Sequence, residues 1–221
     1  MKLIVFDLDG TLINSLPDIH NAINYSLRHF NLKPNTLLQT KKYIGNGALN
    51  LVKRSALKMY DVRLILTSPL VEVVYEFYND YYSSHNLIKT DKYKNTLETL
   101  HELKNRGYKL AVLSNKPDRD TKFIVSHFFG NVFDMVLGQT NLPIKPDKAG
   151  LIEIINKLNI DISETLYIGD SLVDIALARN AGCKILSVSY GYTNKEVLAL
   201  AKPDYLIDDF KQIMEVLSWF L

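Results

Sequence analysis

Short apolar runs alternate with longer amphipathic segments along most of the chain. The runs are rich in β-branched and aliphatic residues, as expected of buried strands, and the segments between them carry apolar residues at helical spacing. We predict strands at residues 3–6, 109–113, 133–137, 165–168, 185–188 and 205–207. Because strands that alternate with helices form parallel sheets, we expect an α/β fold with a doubly wound parallel sheet and a Rossmann-like core.

The stretch from residue 16 to residue 86 interrupts this alternation, because its apolar residues recur at helical spacing and no run in it is typical of a strand. We predict four helices, which cover residues 17–30, begin near Thr36, follow Gly47 and cover residues 69–83. The predicted buried positions of the fourth helix are Val73, Val74, Phe77, Tyr78 and Tyr81. We therefore assign residues 1–15 and 87–221 to an α/β core and residues 16–86 to an inserted all-helical cap.

Composition and charge narrow the classes of protein that need to be considered. A net charge of +2 over 221 residues gives no reason to expect a nucleic acid or a membrane surface as partner. No apolar run approaches the roughly 18 residues of a membrane span, and the N-terminal pattern is not that of a signal peptide. The single cysteine, Cys183, excludes an internal disulfide and a cysteine-cluster metal site. We expect a cytoplasmic protein and leave open whether it is a monomer or a homodimer.

Two carboxylates directly follow the first predicted strand. Asp7 and Asp9 stand one residue apart and are followed by Gly10 and Thr11. Buried carboxylates are costly unless they are paired or bound to a cation, and ligands of open α/β sheets bind beyond the carboxyl ends of strands. An Asx turn or a helix N-cap would explain one Asp-Gly pair. Two acids here favour a site in which one is a nucleophile and metal ligand and the other handles protons.

Polar residues also follow three later strands. Ser114 and Asn115 follow the second strand, where they could hold a phosphate oxygen or form an ordinary turn. Lys145 lies on a loop after the third strand, where a solvated lysine is the common alternative. Asp170 and Asp174 follow the fourth strand and could bind a metal or complement the dipole of the next helix.

The candidate metal ligands at the strand ends are all oxygen atoms. Asp7, Asp9 and Asp170 have no histidine or cysteine at matching positions, and hard oxygen ligands suit Mg²⁺ better than zinc or copper. Together with Lys145 and Ser114, such an ion could hold a dianionic phosphate. Phosphoryl transfer is catalysed chiefly by positioning and charge stabilisation, so we expect the ligand to be a small phosphorylated metabolite.

These strand-end motifs resemble, in order and spacing, the four motifs of the haloacid dehalogenase-like superfamily, most of whose members are phosphatases. The resemblance implies that Asp7 attacks phosphorus to form an aspartyl-phosphate. It implies that Asp9 protonates the leaving alcohol and then deprotonates the attacking water. It further implies a role in phosphate binding for Ser114, Asn115 and Lys145, and a role as Mg²⁺ ligands for Asp7, Asp9, Asp170 and Asp174.

A glycine-rich loop joins two predicted helices of the cap, within the run KKYIGNGALNLVKRSAL at residues 41–57. By composition alone, an ordinary helix–helix turn with solvated lysines is the more common outcome. The run resembles the cap segment of phosphoglycolate phosphatases, and Ser-Asn-Lys-Pro at residues 114–117 resembles their second motif. This implies a substrate-reading loop at Gly45, Asn46 and Gly47, with Arg54 near a substrate carboxylate. Lys41 stands where that family often has arginine, and lysine supplies charge without a bidentate fork.

The sequence therefore predicts a Mg²⁺-dependent phosphomonoester hydrolase, with 2-phosphoglycolate as the expected substrate. A pyrophosphatase, a broad sugar-phosphate phosphatase or a phosphomutase would use the same core. A signalling module with a phosphorylatable aspartate is the alternative from a different class. Asp9 as a general acid and the helical insertion favour an enzyme, because a switch needs neither rapid turnover nor a lid.

Overall fold

The computed structural model describes residues 1–59 and 68–219, and within these the chain forms eight strands and ten α-helices. The strands are β1 (Leu3–Phe6), β2 (Ile13–Asn14), β3 (Asp91–Lys92), β4 (Lys109–Pro117), β5 (Met135–Gln139), β6 (Thr165–Gly169), β7 (Lys184–Val188) and β8 (Tyr205–Ile207). The helices are α1 (Leu16–His29), α2 (Leu37–Tyr43), α3 (Ala48–Leu57), α4 (Pro69–His85), α5 (Thr96–Asn105), α6 (Asp118–Phe129), α7 (Ala149–Leu158), α8 (Leu172–Ala181), α9 (Lys195–Leu200) and α10 (Ile213–Ser218). None of these helices is both long enough and apolar enough to cross a membrane.

Six strands form one parallel sheet in the order β5-β4-β1-β6-β7-β8. Numbered among themselves these strands run 3-2-1-4-5-6, which is the Rossmann-type order of a doubly wound fold. The predicted sheet is therefore confirmed. The direction of winding reverses between β1 and β6, and ligands of such folds bind at the carboxyl ends of the strands at this point.

Strand β1 lies at the centre of this sheet and is buried along its whole length. Leu3 and Val5 belong to a cluster of apolar side chains contributed by several strands and helices of the sheet domain. Phe6 stacks on Phe210 with ring centroids 5.9 Å apart and meets the edge of Phe133 at 6.1 Å. Because both faces of the sheet are covered, the strand is continuously apolar rather than alternating.

The chain divides into two compact units, one formed by residues 1–14 and 92–221 and the other by residues 15–91. The second unit contains α1 to α4, which share a separate apolar core. The sequence placed the upper end of the cap at residue 86, whereas the contacts divide the chain after residue 91. The assignment of these units as cap and core remains a prediction.

The structure differs from the predicted elements at several points. On α4 the buried side chains are Val71, Val74, Tyr78 and Tyr82, and Val73 is exposed, so the prediction for Val73 is wrong. Strand β5 begins two residues later than predicted, and β4 continues to Pro117. The predicted closing helix at 210–221 begins as a 3₁₀ turn at Phe210–Gln212, and its last two residues lie outside the described part of the chain. The short elements β2, β3 and α9 were not predicted.

Candidate active site

Asp7 is held at the carboxyl edge of the sheet by its backbone. Its amide donates to the carbonyl of Ile168 at 2.9 Å, which continues the pairing of β1 with β6 by one residue. The Oδ1 atom of its carboxylate accepts a hydrogen bond from the Leu8 amide at 2.7 Å and lies 2.8 Å from the Nζ atom of Lys145. The position of this carboxylate is therefore fixed both by the pairing of the strands and by the ammonium group of Lys145.

The ammonium group of Lys145 is buried among oxygen atoms. Its Nζ lies 2.8 Å from Asp7 Oδ1 and 2.8 Å from Asp174 Oδ1, and it donates to the Tyr167 hydroxyl at 3.0 Å. That hydroxyl donates in turn to the Leu113 carbonyl at 3.1 Å. Burial acts to lower the pKa of Lys145, but the carboxylates of Asp174 and Asp7 outweigh it and raise the pKa well above its usual value. Lys145 is therefore positively charged at neutral pH.

Asp174 lies in the first turn of α8, and its two carboxylate oxygens have different partners. Its Oδ2 accepts from the Ser171 amide at 3.1 Å and from the Ser171 hydroxyl at 2.6 Å, while its own amide donates to that hydroxyl at 3.3 Å. This reciprocal cap satisfies backbone donors at the start of the helix. It also turns Oδ1 towards Lys145, so the helix terminus positions a charged group of the site.

Asp170 directly follows β6 and is held by the loop after β7. The Tyr192 amide donates to its Oδ2 at 2.6 Å, and the Thr11 hydroxyl donates to its Oδ1 at 3.3 Å. There is no room for a side chain at Gly191, where a Cβ atom would lie 2.4 Å from the Asp170 Cβ and 2.4 Å from the Gly10 carbonyl oxygen. A close approach of backbone therefore fixes this carboxylate.

The carboxylates of Asp7, Asp170 and Asp174 converge, with one oxygen of each within 4.8 Å of the others, and all three residues are buried. Burial raises the pKa of Asp7 to about 7 against the opposing charge of Lys145. Burial also raises the pKa of Asp170 well above its usual value, and repulsion from Asp174 and Asp7 adds to the effect. This concentration of buried negative charge on oxygen donors fits a hard divalent cation.

Within the described residues, the Asp9 carboxylate is not part of this cluster. Both of its oxygens accept hydrogen bonds from the Nζ atom of Lys116, at 2.9 and 2.8 Å. The two side chains are mostly buried, with exposed fractions of 5% for Lys116 and 13% for Asp9. The predicted role of Asp9 as a metal ligand stays a prediction, and its carboxylate instead forms an ion pair that the sequence did not reveal.

Ser114 and Asn115 are buried residues of β4. The Asn115 side chain accepts from the Lys145 amide at 2.8 Å and donates to the Lys145 carbonyl at 3.0 Å. These two hydrogen bonds fix the backbone that presents the buried ammonium. The Ser114 hydroxyl accepts from the Lys116 amide at 3.2 Å. Phosphate contacts by Ser114 and Asn115 stay predictions, while the structure adds a supporting role for Asn115.

The predicted substrate-reading loop lies in the second unit, between α2 and α3. Gly45 and Gly47 both have positive φ angles, 108° and 82°. The guanidinium of Arg54 is buried and donates to the Tyr43 carbonyl and to Asn46 Oδ1, each at 2.9 Å. Arg54 therefore supports the loop from within the same unit. The side chain of Lys41 is half-exposed. The substrate contacts of all five residues named for this loop stay predictions.

Sequence reasoning missed several residues that shape the site. Lys116 belongs to the quoted Ser-Asn-Lys-Pro run, and its place one residue after the candidate phosphate ligands was a usable signal. Ser171 is the N-cap of α8 and lies three residues before Asp174. This spacing is a known capping pattern, so it could also have been detected in the sequence. Tyr167 lies inside an apolar strand, and its hydroxyl gave no signal.

The sheet is doubly wound, charged and polar groups lie at the ends of β1, β4 and β6, and a lysine follows β5. This is the arrangement expected of a haloacid dehalogenase-like hydrolase. A family model described as haloacid dehalogenase-like hydrolase matches residues 4–188, and the chain belongs to this family. The resemblance seen in the sequence is thereby confirmed.

Relatives within the family are similar over nearly their whole length. A phosphoglycolate phosphatase from Haemophilus influenzae is 39% identical, with 98% of each chain covered. One from Pasteurella multocida is 37% identical at the same coverage. The crystal structure of a predicted phosphoglycolate phosphatase from Haemophilus somnus has a TM-score of 0.89 at 37% identity, covering 98% of this chain and 97% of that one. This pattern of relatives indicates a phosphatase.

Proposed function

We propose that this protein is a Mg²⁺-dependent phosphomonoesterase that hydrolyses 2-phosphoglycolate through a phosphorylated Asp7. The observation that carries the proposal is the convergence of three buried carboxylates and the Lys145 ammonium at the carboxyl edge of the sheet. Support for the substrate comes from relatives that are named phosphoglycolate phosphatases and match nearly the whole chain. A cytoplasmic location and a small phosphorylated metabolite as partner belong to the same proposal.

In the first half-reaction, Oδ2 of Asp7 attacks phosphorus. Its Oδ1 is engaged by Lys145 and by the Leu8 amide, which leaves the orientation of the second oxygen well defined. The bond from phosphorus to the leaving oxygen breaks with its electron pair, and that oxygen receives a proton from Asp9. In the second half-reaction, Asp9 takes a proton from the water that attacks phosphorus, and the bond from Asp7 to phosphorus breaks.

Charge stabilisation supplies most of the catalysis in this proposal. Lys145 neutralises the phosphoryl oxygens and is itself kept charged by Asp7 and Asp174. The Ser114 hydroxyl provides a further donor to the phosphoryl group. Asp7, Asp170 and Asp174 would hold Mg²⁺, which when bound supplies additional positive charge against the phosphoryl group.

Substrate choice is assigned to the glycine-rich loop of the second unit. In this proposal the backbone amides of Gly45, Asn46 and Gly47 contact the substrate, and Arg54 holds the loop through the Tyr43 carbonyl and the Asn46 side chain. Lys41 supplies positive charge on the preceding helix. Amides and a lysine suit the carboxylate of a small phosphorylated acid.

The test is Mg²⁺-dependent phosphate release from a panel containing 2-phosphoglycolate, pyrophosphate, several sugar phosphates and an aryl phosphate. We expect the highest kcat/KM for 2-phosphoglycolate. A clear preference for another compound would keep the chemistry and discard the assigned substrate. If no compound released phosphate but a small phosphodonor labelled Asp7, the protein would belong with signalling modules instead.

A further inference from the structure

The motif after β1 contains two carboxylates, Asp7 and Asp9, and each of them forms an ion pair with a different lysine. Asp7 contacts Lys145, from the loop after β5, whereas Asp9 contacts Lys116, near the end of β4. Lys116 reaches both oxygens of Asp9, at 2.9 and 2.8 Å. These contacts hold the carboxylate group next to the Lys116 ammonium, and hydrogen bonds between charged groups are roughly twice as strong as those between neutral ones.

This pair differs from the surface ion pairs of the molecule. Only 5% of the Lys116 side chain is exposed, compared with 58% for Lys122, which pairs with Asp118 one helical turn away. A buried ammonium is expensive unless it is paired, so a lysine at this depth needs a specific acceptor. The neighbouring α6 contributes a buried acid, Asp120, whose pKa is raised because burial outweighs the opposing charge of Lys116.

We propose that Lys116 is a positioning residue for proton transfer by Asp9. It holds the Asp9 carboxylate in an ion pair outside the cluster of Asp7, Asp170 and Asp174. In the first half-reaction the Asp9 proton passes to the leaving oxygen as the phosphorus–oxygen bond breaks. The resulting carboxylate pairs with Lys116, as in the structure, and is then placed to accept a proton from water. This inference rests on the proposed phosphatase function and deepens it.

The experiment measures kcat/KM for phenyl phosphates with uncharged substituents and graded leaving-group pKa, because this constant covers the steps up to release of the phenol. Lys116→Met keeps the length of the side chain and removes its charge. We expect little loss for the most acidic phenol and a loss of roughly a hundredfold for the least acidic one, since general acid catalysis contributes on the order of 10² or more. A plot of log kcat/KM against leaving-group pKa should therefore become steeper.

Three further variants separate positioning from structural damage. Adding Lys116→Met to Asp9→Asn should change the slope no further, because Lys116 acts through Asp9. Lys116→Arg should restore part of the wild-type slope. Lys122→Met removes a lysine of α6 from an exposed ion pair and should leave the slope and the rates unchanged.

Other outcomes would overturn the inference. A parallel fall in rate for every phenyl phosphate, with an unchanged slope, would make Lys116 a structural residue. If Lys116→Met lost activity on 2-phosphoglycolate, measured in parallel, but on none of the phenyl phosphates, Lys116 would be an anchor for the substrate carboxylate. Wild-type protein that released phosphate from no compound would overturn the proposed function, and this inference with it.

Discussion

At the residue scale, the carboxylates of the candidate site are held in place by close contacts with the backbone and with a few side chains. The places of Asp7, Asp9, Asp170 and Lys145 after strands of the sheet could be predicted from the apolar runs that precede them, and their catalytic and binding roles stay predictions. The pairing of Asp9 with Lys116 could not be predicted, since the two residues lie 107 positions apart and meet only through the register of β1 and β4. Tyr167 was hidden for the same reason, because its contact with Lys145 is tertiary.

Replacing Gly191 by alanine should weaken binding of the metal. The new Cβ atom would lie 2.4 Å from a backbone oxygen of Gly10 and 2.5 Å from Asp170 Oδ2, so Asp170 has to move. We expect the Mg²⁺ concentration for half-maximal activity to rise roughly tenfold or more, as is typical when the support of a metal ligand is lost. Titration of activity with Mg²⁺ measures this.

The matched control is Gly182→Ala. Nothing lies within 4 Å of a Cβ at that position, but its φ of +82° disfavours a side chain. This variant should lose roughly 1 to 2 kcal/mol of stability and keep the wild-type Mg²⁺ dependence. If both variants bound the metal like the wild type, the structural role assigned to the Gly191 loop would be wrong.

Cys183 should react slowly with thiol reagents in the native protein. Burial raises the pKa of its thiol to about 12 from an ordinary value of 9.0, with the charge of Asp204 adding to the effect. The thiolate is the reactive form, and at pH 8 both values lie above the pH, so folding lowers the thiolate fraction roughly a thousandfold. As Cys183 is the only cysteine, reaction with a disulfide reagent before and after denaturation checks this directly. Equal rates in the two states would contradict it.

At the scale of elements, short apolar runs identified all six strands of the sheet, while the ends of the elements depended on packing. Phe133 is apolar and β-forming, which moved the predicted strand two residues early; in the structure it packs against Phe6 and Phe129 before β5 begins. Strands β2 and β3 have two residues each, too few to show a period. Helix α9 is short and mostly exposed, so it has little apolar face to detect.

The loop between α2 and α3 allows a prediction about substrate choice. Arg54→Lys keeps the charge but cannot make both hydrogen bonds, to the Tyr43 carbonyl and to Asn46, with the same geometry. Losing one bond to a charged donor costs about 1.5 kcal/mol or more, so kcat/KM for 2-phosphoglycolate should fall roughly tenfold. Activity on 4-nitrophenyl phosphate, which lacks the carboxylate, should change little. Equal losses on both substrates would argue against a role of this loop in selection.

At the scale of the whole molecule, the proposed metal site should couple metal binding to stability, because three carboxylates are buried together there. A ligand that binds only the folded protein stabilises it by about 2.7 kcal/mol at a concentration one hundred times its Kd. For a chain of this size the corresponding rise in Tm is roughly 5 to 10 °C. Thermal unfolding with and without Mg²⁺, in the absence of substrate, should show this increase.

Asp170→Asn should abolish most of the Mg²⁺-dependent rise in Tm, because it removes one carboxylate of the cluster. Asp161→Asn is the matched control, since Asp161 is an exposed cap of a 3₁₀ turn. A Tm that did not respond to Mg²⁺ in the wild type, or that responded equally in Asp170→Asn, would contradict the assigned metal site.

The most direct test of the whole account is to trap the covalent intermediate. Enzyme mixed with 2-phosphoglycolate and Mg²⁺ is quenched in acid within the first turnover, digested, and mapped by mass spectrometry. We expect a single phosphoryl group on the peptide that contains Asp7, and neither label nor turnover in Asp7→Asn, whose kcat should fall by roughly 10⁴ or more. A phosphoryl group on another residue, or near-normal turnover by Asp7→Asn, would contradict Asp7 as the nucleophile.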